Sequence, residues 1–591
     1  MNIYRYRVTF LPLILLVISF VLPLQFNSSQ ARSDTLGPCH RPYDRQVTSP
    51  YMIHATWMYN RGSACAWQKA LEQFHRIGGK VVIQFGQPLK KLQRAGNRLY
   101  LNEGNTRKQV LLKCRDQGSS CVSQTINDFR QAGIDPNRIR NWLIYSSEDQ
   151  FTNKILCRDS SLDKKITKRG WGKPVIYWRI ILPHGKNQKT CDYRNGQFDV
   201  LFVKNIPGKF NETKALLSVA NALNMKVFLG APSFPPLTNR AWVVDRHLQS
   251  ATMDWSRRVF EDYAHQYQQY RSYAGIYQSF EVALQPGWEG KEHKIYQEQA
   301  NRYHHSNPDK KYMISPYFMV NKSMYGATLK GTVKGFKLLA RAGIDIIIPQ
   351  DGRGTGKAAL YWPWQKYSSV RQVDPQLANY NNVKSHQSFA SQFYASTFEL
   401  YKAIKQAQQQ LKKKEGIQVE LWANIEAFEE DKKNSTYRGC AYSSLSQTNK
   451  KRLDRAITFS AGMKKIASFM YDPLFTCKDR YGVSLLDQIK SDYDRPVITQ
   501  ANITSGRSSY LLLKGYYLGT PGTQFRISWK DHSGIIRHTL AKVFKRGKSI
   551  QGLQSLYLRL NNIVPQQNSI LRIRAINHDG RHSHESYGLQ I

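Results

Sequence analysis

Two glutamates stand where a chain of this pattern would put its chemistry. Glu281 closes the run Gly-Ile-Tyr-Gln-Ser-Phe-Glu at 275–281, and Glu426 closes Leu-Trp-Ala-Asn-Ile-Glu at 421–426. Two carboxyls flanking one glycosidic bond can cleave it, one as acid/base and the other as nucleophile; a retaining enzyme holds them about 5–5.5 Å apart. The acid must be kept protonated by burial and by its neighbour's charge. Trp57, Tyr277, Tyr317 and Trp422 would offer ring faces to sugars, and Gln84, Gln350, Asp351 and Asn424 would offer hydrogen-bonding groups. Asp351 has three readings: it orients Glu281, binds sugar, or caps the turn that follows. A single glutamate at such a place reads better as a salt-bridged rim residue. The matched pair is what favours catalysis.

Other chemistries fit less well. The stretch 351–357 (DGRGTGK) lacks the spacing of a phosphate loop, and its glycines suit a tight rim turn. His304-His305 and the pair His582 and His584 lack metal-ligand spacing, and the cysteines form no CxxC pair. No GxSxG elbow and no dinucleotide fingerprint is present. No cofactor and no metal is expected.

These glutamates need elements to carry them. Short runs rich in β-branched and aromatic residues recur at 51–57, 80–85, 226–230, 275–281, 312–318, 345–349, 418–426 and 466–471. Amphipathic stretches lie between them at 64–77, 212–223, 255–273, 293–305, 328–342, 385–413 and 446–463. Eight strands alternating with helices predict a (β/α)8 TIM barrel over 32–494, with an open doubly wound sheet as the other arrangement. Reactive groups then sit at the C-terminal strand ends, and strands four and seven face each other across the mouth. An insertion at about 86–197 is too long for a structureless loop and reads as a disulfide-stapled subdomain over one rim. It either shapes a cleft or decorates the barrel. Beyond 495 six short alternating runs with Gly, Asn and Pro turns predict an immunoglobulin- or fibronectin-like β-sandwich over 495–591. That module is either a spacer or binds glycan or envelope.

The compartment follows from the N-terminus and the cysteines. Arg5 and Arg7 precede a fifteen-residue apolar run at 10–24 and then Ser29-Gln30-Ala31, the layout of a signal peptide over 1–31. An uncleaved anchor would tether the same domains outside the inner membrane, so periplasmic or secreted placement is expected either way. The eight cysteines lie beyond that point, and an even count in an exported chain reads as disulfides. Sequence order suggests Cys39–Cys65, Cys114–Cys121, Cys157–Cys191 and Cys440–Cys477. A mean hydropathy of −0.54 with a single apolar run excludes a polytopic membrane protein. The 86 Lys+Arg against 42 Asp+Glu give a net +44. Such a surface attracts acidic polysaccharide or an anionic envelope, or it serves solubility alone.

The segments 226–230, 275–281, 314–318, 345–354 (DIIIPQDGRG) and 422–429 (WANIEAFE) resemble the bacterial barrels called domain of unknown function 4434. The likeness covers about 51–472 and leaves the insertion outside. It implies a glycoside hydrolase-like barrel, with Glu281 as acid/base and Glu426 as nucleophile. One departure stands out: many retaining barrel glycosidases carry Asn just before the acid/base, and here that place holds Phe280. Asn424 lies on the same barrel face as Glu426 and would bind sugar hydroxyls instead. The expectation is an exported, retaining glycoside hydrolase acting on a cell-envelope or extracellular polysaccharide. The rivals are a non-catalytic carbohydrate-binding envelope protein and a polyanion-binding adhesin. Carbohydrate is the expected partner, acidic polysaccharide among the candidates; peripheral contact with an anionic envelope surface is a further one, and no specific nucleic acid is expected.

Overall fold

A computed structural model describes residues 36–591 apart from 148, 158–159, 169–174, 185–190, 192, 194, 206–209, 238–239, 286–291, 431–444, 480, 505–509, 551, 561–562, 564–565 and 567. The expected signal peptide and Cys440 lie outside the described residues.

Each of the eight apolar runs forms a strand: β1 Ala55–Trp57, β2 Val81–Ile83, β3 Lys226–Gly230, β4 Tyr273–Gln278, β5 Lys311–Ile314, β6 Ile346–Ile347, β7 in two pieces (Glu420–Leu421 and Ala423–Asn424) and β8 Ile466–Ser468. All pair in parallel in chain order. The ends of the sheet are the two pieces of β7: the first pairs with β6, the second with β8, and β8 returns to β1. Both edges therefore belong to one stretch of chain, and the sheet closes into a barrel. Strands covered on both faces need continuous apolar sequence, which is why these runs are short and dense in Val, Ile and aromatics.

Local signals set the helix limits. Ser396 accepts from the backbone N–H of Glu399 while Glu399 accepts from that of Ser396, and this capping box starts helix Thr397–Glu415; Gly416 ends it in the left-handed region. The single helix expected over 385–413 is thus a short turn, Phe389–Gln392, and then this longer helix.

The insertion is a seven-stranded mixed sheet in the order Thr106–Val110, Arg98–Glu103, Lys90–Ala95, Ile139–Ser146, Gln197–Asn205, Val175–His184, Lys164–Lys168. It runs past the expected end at 197, because Gln197–Asn205 is its parallel partner to Ile139–Ser146. One face rests on helix Gln249–Tyr267, where Trp255 meets Tyr145 at 5.3 Å between ring centroids. There Arg258, 2% exposed, reaches Asp163 at 2.6 Å. The C-terminal region forms seven antiparallel strands ordered Val497–Thr504, Tyr510–Tyr516, Gln554–Arg559, Ile536–Arg546, Gln524–Lys530, Ile570–Ile576, Tyr587–Gln590. Arg581 ties it to the barrel through Asp492 and Asp494, each at 2.8 Å. Disulfides join Cys39 to Cys65, Cys114 to Cys121 and Cys157 to Cys191. These disulfides fit an oxidising compartment. Among the described residues no helix is long and apolar enough to cross a membrane.

Candidate active site

Glu281 stands just beyond β4, on a turn fixed from behind. Gln278 accepts from the backbone N–H of Phe280 at 2.9 Å and donates to Gln299 at 2.5 Å, while Tyr296 donates to the Phe280 carbonyl at 2.6 Å. Phe280 is 5% exposed and packs on Tyr296, so the position that resembles a sugar-binding Asn turns toward helix Glu292–Ser306. Glu281 itself is half-buried. Its carboxyl pKa is raised, chiefly by desolvation, against the opposing pull of Gln350, the Lys357 charge and Tyr277. The Tyr277 hydroxyl donates to it at 3.4 Å. Lys357 lies 4.2 Å over the Tyr317 ring, and burial with the Glu281 charge pushes the Tyr317 phenol up to about 12.

Glu426, 2% exposed, meets a different environment. It accepts a hydrogen bond from the Gly354 backbone N–H and lies against Asp351, which is fully buried. Desolvation and the Asp351 charge raise the Glu426 pKa well above the usual carboxylate range. Desolvation also raises Asp351, offset first by the charge of Arg353, whose Nε lies 4.0 Å away. The two carboxyls titrate as a coupled pair, and the nearby guanidinium favours the charge on Asp351 over Glu426. Gly354 is required here because a Cβ would come within 2.5 Å of the Phe428 ring and 2.6 Å of its carbonyl oxygen.

A buried ion cluster secures these loops. Arg353 reaches Glu429 at 2.9 Å, Arg452 reaches Glu429 at 2.6 Å and Asp374 at 2.7 Å, and Thr448 donates to Glu429 at 2.5 Å. Arg353 also donates to the Glu426 carbonyl. The loops after β6 and β7 are thereby locked to each other and to helix Lys450–Thr458.

Several expected ligand contacts need correction. Trp422 points to the opposite end of the barrel: its indole N–H donates to Glu420 at 3.1 Å, and Lys465 lies 4.7 Å over its ring. Alternation along a strand separates inward from outward but leaves a long side chain free to lean toward either end. Asn424 is 1% exposed and donates to Ser315 at 3.2 Å, below the mouth. Trp57 and Tyr277, each 1% exposed, stack edge to face at 5.7 Å and form the floor. Asp351 is occupied with Glu426. Gln84, Tyr317 and Gln350 remain near the mouth; Gln84 donates to Asn60 at 2.9 Å and Gln350 to the Ser315 carbonyl at 3.0 Å.

The rim holds rings that sequence reasoning missed. Phe85, Phe428 and Phe469 meet at 5.9 Å spacings, and Tyr59, 45% exposed, stands 5.1 Å from Phe85. The signal was available, since each lies one to four residues past a strand end. Next to them a cavity of about 540 Å³ opens between the barrel and the insertion, lined by Asn60, Gln84, Gln87, Tyr145, Gln150 and Lys204 among others. Among the described residues no group of three or more His, Cys, Asp or Glu is placed to hold a metal.

The architecture is a parallel α/β barrel with carboxyls beyond its strand ends. Residues 196–479 match the family model of DUF4434, a domain of unknown function, which bears out the resemblance read from the sequence. Residues 106–204, most of the insertion, match a second domain of unknown function, DUF8405. No curated protein matches the chain. Among solved structures it is similar to a Bacteroides thetaiotaomicron protein assigned as an alpha-L-fucosidase, at 12% identity over 76% of this chain and 94% of that one, with a TM-score of 0.36. It is also similar to a Bacteroides uniformis beta-glucuronidase, at 11% identity over 65% of this chain and 40% of that one, with a TM-score of 0.26. The chain thus spans well under half of the glucuronidase. Likenesses of this size assign no activity.

Proposed function

We propose that the protein is an exported, retaining glycoside hydrolase acting on a cell-envelope or extracellular polysaccharide. The observation that carries this reading is the place of Glu281, a half-buried carboxyl beyond β4 whose pKa desolvation raises, at an aromatic-rimmed mouth that continues into a polar cavity. Such a group protonates the leaving glycosidic oxygen. Glu426 attacks the anomeric carbon as the glycosidic C–O bond breaks, and its proton passes to Asp351, so the pair's single negative charge sits on Glu426 when it is needed. Water, deprotonated by Glu281, then releases the sugar. The disulfides support export, and the net charge of +44 favours an acidic polymer. The C-terminal strands are read as an immunoglobulin-like sandwich that accompanies the barrel.

The test is Glu281→Ala with an activated aryl glycoside that the parent hydrolyses. Loss of the base should stall the glycosyl-enzyme, and added azide should restore turnover and yield a glycosyl azide of retained configuration. Parental hydrolysis by the variant without azide would overturn the assignment.

A second reading rests on the burial of Glu426. A carboxyl 2% exposed and paired with Asp351 suits a structural clasp, and the same mouth would then bind glycan without cleaving it. Tight binding of a glycan by the parent, with no product released, would select this reading.

A further inference from the structure

The strand Ile536–Arg546 crosses the middle of the C-terminal sheet, and its two faces differ. Thr539, Ala541 and Val543 turn toward the core and are half-buried. Ile536, Leu540 and Phe544 turn outward and are 67%, 55% and 47% exposed. Lys542 stands between the last two. Across the ladder Lys530 is opposite Ile536 and Arg526 opposite Leu540, and on the next strand Arg574 is opposite Arg526. At the hairpin tip Ile535 is 53% exposed. Phe544 is held upright between Tyr510, stacked at 5.4 Å, and the Arg559 guanidinium at 3.9 Å. Residues 495–591 contain 14 Lys+Arg and 3 Asp+Glu, and the acid beside the tip, Asp531, is engaged by Arg537 at 2.8 Å.

The outward face of a solvated antiparallel strand is ordinarily polar. Here Ile536, Leu540 and Phe544 alternate with His538 and Lys542, and Lys530 and Arg526 stand across the ladder. Branched aliphatics offer no flat face to a sugar, which stacks on aromatic rings, but they do partition at the headgroup boundary of a bilayer, where neighbouring Lys and Arg meet lipid phosphates. We propose that this sheet face docks the protein on an anionic lipid surface, with Ile535, Ile536 and Leu540 entering below the headgroups while Arg526, Lys530 and Lys542 pair with phosphates. This docking is independent of whether the barrel hydrolyses or only binds glycan.

The experiment is co-sedimentation with vesicles of equal parts phosphatidylglycerol and phosphatidylcholine, and with phosphatidylcholine alone, comparing parent and variants that share one N-terminus. The parent should sediment with the anionic vesicles and far less with the neutral ones. At about 1 kcal/mol per basic side chain, or about fivefold each, the triple variant Arg526→Gln/Lys530→Gln/Lys542→Gln should lose about 100-fold in partition. Ile536→Ser/Leu540→Ser should weaken binding even in high salt, where charge is screened. Both changes are at exposed positions, and unchanged unfolding temperatures would establish that the fold is kept. Three outcomes would overturn the proposal: no sedimentation of the parent, variants that bind like the parent, or vesicle binding no stronger than retention on polygalacturonate with the aliphatic variant unaffected. The last would point to an acidic polysaccharide as the occupant.

Discussion

Glu429→Gln should destabilise the barrel more than any surface charge change of equal size. Glu429 is 1% exposed and faces two guanidiniums, Arg353 at 2.9 Å and Arg452 at 2.6 Å. Arg452 keeps Asp374 when this charge is removed, but Arg353, itself fully buried, is left with Asp351 at 4.0 Å. Removing one partner of a buried pair costs about 3–5 kcal/mol, because the remaining charge stays desolvated. An unfolding entropy of about 2.1 cal/mol/K per residue makes that roughly 3–5 °C for a barrel this large. Calorimetry of the parent, Glu429→Gln and Glu429→Gln/Arg353→Met checks it. The double variant should recover part of the loss, since it no longer buries an unpaired guanidinium. Glu415→Gln breaks the exposed pair with Arg341 and serves as the control, expected to leave the transition unmoved. If Glu429→Gln unfolds with the control, the cluster does not hold the loops, and the argument that it fixes Glu426 fails.

Further expectations concern the site itself. Asp351→Asn removes the like charge that raises Glu426, so the low-pH limb of kcat/KM, where the nucleophile must ionise, should move to lower pH; an unmoved limb would uncouple the two carboxyls. Glu281→Gln should abolish the alkaline limb, because the parent loses activity as pH rises through the raised pKa of that acid and the amide has no proton to lose. Gly354→Ala should cost about 1–3 kcal/mol in thermal or urea unfolding through overlap with Phe428, and a neutral result would show that the turn can shift. Non-reducing peptide mapping should recover the three disulfides together with a Cys440–Cys477 link; a free thiol at either of the latter would remove that link.

The barrel was legible because buried parallel strands cannot hide. Each needs a dense apolar run, and all eight runs became strands, β7 included although Trp422 divides it in two. The insertion was less legible. Its strands Lys90–Ala95, Arg98–Glu103 and Thr106–Val110 are largely exposed and carry polar residues on both faces, so no alternation marks them. The helix start at Thr397 is marked by Ser396 and Glu399 but lies inside the longer amphipathic stretch 385–413, which hides it. At the site, Glu281 and Glu426 announced themselves as carboxylates at the ends of strand runs. The pairing of Glu426 with Asp351 joins loops 75 residues apart, and whether Trp422 leans toward the mouth or the base depends on packing across the barrel. Sequence spacing encodes neither.

If Glu281 and Glu426 act on one glycosidic bond, the glycosyl-enzyme can be trapped on Glu426. The parent is incubated with a panel of 2-deoxy-2-fluoro glycosyl fluorides, which slow release of the covalent intermediate, and the labelled peptide is sequenced by mass spectrometry. One sugar per chain should be attached to Glu426, with labelling abolished in Glu426→Gln. A label on any other residue would contradict the assignment, as would an unlabelled chain that nonetheless turns over the matching aryl glycoside.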